Sequence, residues 1–324
     1  QPRRPQQTCL CIMVGAGLTA GVLPQTMQAP FLQPSLLAGV LQQIMQVPLP
    51  QPSLLLAGGF GGPLVIGAFT PLRSACTLAA QDATSSARQI MGRVFGMGLR
   101  SGWTGALTPA AAATLQFTML GPGYHLYLGM FGNAAPALVA CALTETVMTY
   151  GPTAHNAQLM HNKASAVRDR VCVRKLMLVG PGFTSLLLRN CFANAGIRVF
   201  SEPLAHTLQG AVGADANGAI SSFSRMGGDF LASLFCGALS MPFNQTFNFQ
   251  VTNASCLAGT TMERSGMALR YLKSQYLVTT ANGSVRLSRT MMRDALLRSS
   301  YVGCLYCSYA LIERFTLRFA NKWW

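Results

Sequence analysis

Apolar residues in this chain gather into six runs, roughly at 53–73, 103–130, 133–152, 176–201, 226–247 and 294–313. Each run is close to or longer than the ~20 residues a helix needs to cross a bilayer. They are rich in Gly and Ala, which allow close helix packing in lipid. The intervening segments alternate in character. Those at 77–102, 153–175 and 248–293 are long and basic, while 129–133 and 205–225 are short or nearly uncharged. Long connections of this kind predict a short interfacial helix in each. The pattern therefore predicts an all-α membrane protein with six transmembrane helices.

Three prolines close the odd-numbered runs: Pro71 in TPLRSAC, Pro152 in GPTAHNA and Pro242 in MPFNQTF. They stand 81 and 90 residues apart. Proline inside a helix removes a backbone donor and kinks it, so a kink at nearly even intervals predicts one two-helix unit used three times. The units are 51–132, 133–210 and 211–324, after an extension at 1–50. Within the extension QPSLLAG (33–39) returns as QPSLLLAG at 51–58, and 35–46 reads as a short surface helix.

Only 10% of residues are charged and mean hydropathy is +0.33, against about 25% charged in a soluble domain. The net charge of +15 is concentrated. Arg88, Arg93 and Arg100 lie in the first long connection. The second holds Lys163, Arg168, Arg170, Arg174 and Lys175. Arg264, Arg270, Lys273, Arg286, Arg289 and Arg293 lie in the third, so that 14 of the 24 basic residues sit on one face. Basic loops stay inside, which sets both termini on the opposite face and brings a cationic surface to anionic headgroups. Nucleic acid is not an expected partner, because the charge is split among loops without a stacking motif.

The ten cysteines are scattered. Cys304 and Cys307 share a helix face, while Cys9 and Cys11 fall in the extension, and no disulfide framework or metal site emerges. Asn244, Asn253 and Asn282 head weak sequons. The first residue is Gln1, which is expected of a mature product after presequence removal. No phosphate-binding loop, no H-E-x-x-H and no histidine cluster is present. An enzyme is not expected.

Proline spacing, run count and loop charge together resemble the mitochondrial carrier family over about 53–316. The segment Gly98-Leu-Arg-Ser-Gly-Trp-Thr-Gly105 is similar to its G-x4-[aromatic]-[KR]-G motif, with Trp103 at the aromatic place and Thr104 at the basic one. The stretch from Gly182 through Arg189 to Glu202 is similar to its fourth helix. The resemblance implies three tandem repeats in the mitochondrial inner membrane, basic loops in the matrix, both termini in the intermembrane space, and bound cardiolipin or another phospholipid. It also implies gates. The family's acid–base pairs after the prolines fall on Arg73 and Cys76, Ala154 and Ala157, and Asn244 and Phe247, so all three are missing. Asn244, Gln245 and Thr153 are candidates to replace them by hydrogen bonds. The second gate falls on Tyr124, His125 and Leu128, on Ser201, Glu202 and Ala205, and on Ile312, Glu313 and Thr316, with two acids and no base at the family spacing.

Charges within spans are functional candidates, because burying them unpaired is costly. Arg189 and Arg298 occupy places where the resemblance implies substrate contacts, and Ala112 fills the corresponding place in the second run. Glu145 and Asp229 are candidates to face the same cavity. In the alternative expectation Glu145, Arg189 and Arg298 pair with one another as relics. Arg198, Glu202 and Glu313, near helix ends, are expected to reach water. The lost gates, the extension and the apolar tail with Trp323 and Trp324 lead to the expectation of a transport-inactive accessory subunit of a respiratory-chain or ATP-synthase membrane complex. The alternatives are a divergent carrier exchanging an anionic metabolite and an outer-membrane fusion or insertion factor.

Overall fold

A computed structural model describes residues 52–323, apart from 81, 83, 97, 105, 165–169, 174–177 and 213–219. The extension at 1–50 with its expected surface helix, and the side chains of Lys163, Arg168, Arg174, Lys175, Trp323 and Trp324, lie outside the described residues.

The described chain forms six long helical segments in the order of the apolar runs. The first comprises α1 (Pro52–Leu56), a π-turn (Ala57–Gly61), α2 (Gly62–Ala68) and α3 (Thr70–Ala79). In the second, α4 (Ala87–Val94) and a 3-10 turn lead into α5 (Leu107–Thr118), a π-turn (Met119–Gly123) and α6 (Tyr124–Phe131). The third is α7 (Ala134–Ala164). The fourth joins α8 (Phe183–Ala195) through a π-turn (Gly196–Phe200) to α9 (Ser201–Val212). The fifth is α10 (Ser222–Thr252), followed by α11 (Ala254–Ala258), α12 (Thr261–Tyr276) and a hairpin of β1 (Leu277–Thr279) and β2 (Val285–Leu287). The sixth is α13 (Arg289–Trp323).

Each segment packs on the next in sequence, and α13 returns to α1, the first π-turn and α3, closing a ring. Small residues make the approaches possible. A Cβ at Gly58 would lie 2.9 Å from the Phe117 carbonyl oxygen, and one at Gly237 would lie 3.0 Å from the Ser299 Cα.

The prolines behave differently from one another. The first segment bends by 61° between Ala68 and Thr70, and Pro71 enters α3 in its first turn, where its missing N–H is tolerated. Pro152 and Pro242 lie inside the unbroken helices α7 and α10. Separate helices stand in the first and third connections, where the sequence predicted them. α4 starts with a Ser86–Gln89 capping box and α12 with a Thr260–Glu263 box. The second connection shows no separate helix among its described residues, because α7 runs on to Ala164 and uses most of that segment.

Beside an apolar core around Phe117, Leu305 and Tyr309, polar residues are buried and large apolar ones exposed along several helices. Along α10, Leu231, Phe235 and Leu239 are exposed at helical spacing, while Ser233, Ser240 and Asn244 are buried. The outward faces of the other segments carry Phe60 and Leu64, Leu115 and Phe131, Val139 and Leu143, Leu188 and Phe200, and Leu311 and Phe315. Inside lie Glu145, Thr146, Asn190, Asn194, Arg298 and Glu313. By length and composition, Ser222–Thr252 is the one unbent described helix apolar enough to cross a membrane, joined by the bent pair Pro52–Ala68 and Thr70–Ala79.

Candidate functional site

All six segments contribute to a small internal cavity of about 50 Å³. Arg73 enters from α3, Arg189 from α8 and Arg298 from α13. The remaining polar lining is uncharged: Thr77, Gln116, Thr153, Asn156, Asn190, Asn244 and Asn248, with the phenols of Tyr301 and Tyr306. No carboxylate lines it among the described residues.

The guanidinium groups are steered by neutral partners. Arg189 donates twice to the Asn190 Oδ1, at 3.0 and 2.8 Å, and its Cζ lies 6.0 Å from the Phe247 ring centre. Asn190 in turn donates to the Thr146 hydroxyl at 3.0 Å. Arg298 donates to the Ser240 hydroxyl at 3.2 Å and lies 5.5 Å from the centre of the Tyr301 ring. No described ion pair engages Arg73, Arg189 or Arg298. An arginine offers five N–H donors, so most of their donor capacity is uncommitted.

The expected mutual pairing of Glu145, Arg189 and Arg298 is therefore corrected. Fully buried Glu145 accepts from the Gln116 amide at 2.8 Å and from Asn194 at 2.7 Å, and Asn194 accepts from the Tyr306 hydroxyl at 2.9 Å. Amides reach the carboxylate from α5 and α8 directly, whereas Arg189 is already turned toward Asn190. Asp229 does not line the cavity. It accepts from the Ser201 hydroxyl at the start of α9 and pairs with Arg314 in the C-terminal part of α13.

At that end stands a second space of about 340 Å³. Here Arg198 makes a forked contact with Glu313, at 2.8 and 3.1 Å, with side-chain exposures of 10% and 8%. Its Nε donates to the Leu120 carbonyl at 3.0 Å. The expectation that Arg198 and Glu313 reach water is thus overturned, whereas no base stands at the family spacing from Glu313, as expected. The partner comes from another helix, off the family spacing. Glu202 is exposed at the same space. Although larger, this space offers less to a ligand, because its buried charges already neutralise one another. Between it and the inner cavity the rings of Phe117 and Tyr309, both fully buried, pack at 4.5 Å with their planes tilted by 53° and close the bundle.

The post-proline places hold no described ion pair. Cys76, Ala154, Ala157, Asn244 and Phe247 are all buried, and Phe247 packs against Tyr150. Gln245 donates to Asp294 at 3.0 Å rather than to a neighbour across the gate. A different device ties the connections together. Buried Arg293 donates to the carbonyls of Ala79, Asp82 and Ser85 at 2.9, 2.6 and 2.6 Å, with Asp294 as its counter-charge. Asp82 pairs with Arg93 at 2.6 Å. Hydrogen bonds from Ser85, helped by those from Thr84, hold the Asp82 carboxyl well below the usual carboxylate range.

Sequence reasoning missed Gln116, Asn190 and Asn194, although amides inside apolar runs are a readable signal. It also missed Arg293 and Asp294, whose role depends on contacts two hundred residues away. No family model matches this chain, and no curated protein matches it in sequence.

Proposed function

We propose that this chain is a six-span integral membrane protein, three two-helix repeats of the mitochondrial carrier kind, whose central cavity takes up the charged group of an anionic solute. The observation that carries the reading is the trio Arg73, Arg189 and Arg298, one from each end and the middle of the ring, around a cavity without a carboxylate. Cationic groups in a water-poor site without counter-charges are costly. An anion supplies what the protein withholds. The exposed apolar stripe of Leu231, Phe235 and Leu239, with Asn190, Asn194 and Arg298 buried, supports the membrane setting. Under this reading the basic connections face the matrix and bind anionic phospholipid, and the Arg198–Glu313 pair shuts the opposite, intermembrane-space side.

The test is solute binding and flux by the purified full chain. Thermal unfolding with a panel of mono-, di- and trivalent organic anions and inorganic phosphate should show stabilisation by at least one. Exchange of that anion in liposomes should be abolished by Arg189→Ala and by Arg298→Ala. No stabilisation by any anion, with the protein folded, refutes the reading.

A second reading has its own observation. With Cys76, Ala154, Ala157, Asn244 and Phe247 in the gate places, no charge pair forms and breaks on the matrix side. A bundle tied at that end by Arg293 on backbone carbonyls rather than by paired gates is suited to a static role as an accessory subunit of a respiratory-chain or ATP-synthase complex. Migration as a free monomer after gentle extraction refutes that role.

A further inference from the structure

The third basic connection ends in a hairpin that neither the cavity nor its latch uses. Its register pairs Leu277 with Leu287, Val278 with Arg286 and Thr279 with Val285. Directly opposed residues share a face. Leu277, Leu287 and Val285 therefore form one apolar face with Thr279, and Arg286 stands on the other. Every one of these residues is exposed, Val285 and Leu287 by about 60%. A two-stranded hairpin with an uncovered apolar face is marginal in water.

α12 continues the surface. Met262 and Leu269 are 88% and 70% exposed and lie two turns apart with Lys273 beyond, whereas Ala268 and Tyr276 are buried and Tyr271 stacks on Phe249 at 4.3 Å. From Arg264 to Arg293 the sequence holds six basic residues and no acid. Arg264 and Arg293 are committed to carbonyls of the protein. Lys273, Arg286 and Arg289 are exposed and make no described ion pair.

We propose that the hairpin and the outer face of α12 form a platform that docks on the anionic surface of the bilayer, apolar side chains at acyl depth and Lys273, Arg286 and Arg289 on lipid phosphates. The proposal rests on the membrane-spanning reading above. Two features select lipid as the occupant. The uncompensated charge matches anionic headgroups, and long basic side chains can extend from an apolar bed to reach them. The position also fits. The Ser288 amide donates to the Tyr276 carbonyl at 2.9 Å and Tyr276 donates to Asp294 at 3.1 Å, which pins the hairpin base to the start of α13. From there the exposed apolar side of α13 begins, with Met292 and Leu296 above 60% exposure, so the two apolar surfaces adjoin.

The experiment is hydrogen exchange by mass spectrometry on the full chain in nanodiscs of phosphatidylcholine alone or with an added anionic phospholipid. Amides of 277–287 should exchange roughly tenfold more slowly in the anionic discs, an effect that high salt reduces. The double variant K273E/R286E should lose the difference while α7 and α10 stay protected in both discs. Equal exchange of the hairpin in both discs overturns the proposal. So does protection that appears only in native membranes, which marks a protein partner. Failure of the spanning reading shows separately, as water-accessible α10 amides in both discs, and overturns the proposal with it.

Discussion

Replacing Glu313 by Gln removes the only described counter-charge of Arg198 while keeping the side chain's size. Both partners are about nine-tenths buried, and the contact is forked. Breaking a buried pair from one side costs about 3–5 kcal/mol, because the remaining charge stays desolvated. Arg198 keeps its bond to the Leu120 carbonyl and its place 5.7 Å from the Tyr124 ring centre, so the lower end, about 3 kcal/mol, is the expectation. For a chain of this size that is a fall of roughly 4–5 °C in the unfolding midpoint. Buried cysteines supply the assay. Cys76, Cys141 and Cys236 are shielded in the folded bundle, and a thiol-reactive fluorophore reports their exposure as detergent-solubilised protein is heated. The double variant R198Q/E313Q should regain most of the loss, since no unpaired charge remains. A coupling below about 0.5 kcal/mol in this cycle refutes the assignment of the pair as a latch.

Three further outcomes follow from the geometry. Gly182 opens α8 at φ +82°, with a Cβ 3.0 Å from the Phe247 ring; Gly182→Ala should cost about 1–2 kcal/mol in the same assay from the left-handed backbone alone. At Gly121 a Cβ would meet the Tyr309 hydroxyl at 2.5 Å, so Gly121→Ala should destabilise by about 1–3 kcal/mol and loosen the plug above the cavity. Asp82 sets a pH dependence: its folded pKa is depressed, so its contribution is complete above about pH 4 and lost as pH falls through the lowered value. Protection factors of amides 84–96, corrected for the intrinsic exchange rate at each pH, should fall on acidification in the parent chain, and Asp82→Asn should show the reduced protection already at neutral pH.

The alternation of apolar runs and basic connections located all six long segments, because helix length and loop polarity are local properties. The closing contacts were less legible. Arg198 and Glu313 lie 115 residues apart, and only the relative rotation of α8–α9 and α13 aims one at the other. The π-turns, each adding a residue to a helical turn, shift that rotation, and no proline or glycine spacing gives their phase. Arg189 and Arg298 were readable as charges in apolar runs. Arg73 was read only as a failed gate, because its position beyond the bend into α3 depends on the break at Phe69. Glu145 shows the same limit: two amides outcompete two arginines for its carboxylate, which composition cannot reveal.

Arg293 gathers carbonyls from the end of α3 and the turn after it, so the last segment of the chain fastens the first. The ring is consequently a structure that synthesis completes only at its close. Until α13 emerges, the first five segments present an open seam of amides and arginines with nothing to face. Their assembly therefore depends on late arrival of a keystone, and a chain truncated before Arg293 should be cleared by quality control rather than accumulate as a partial bundle.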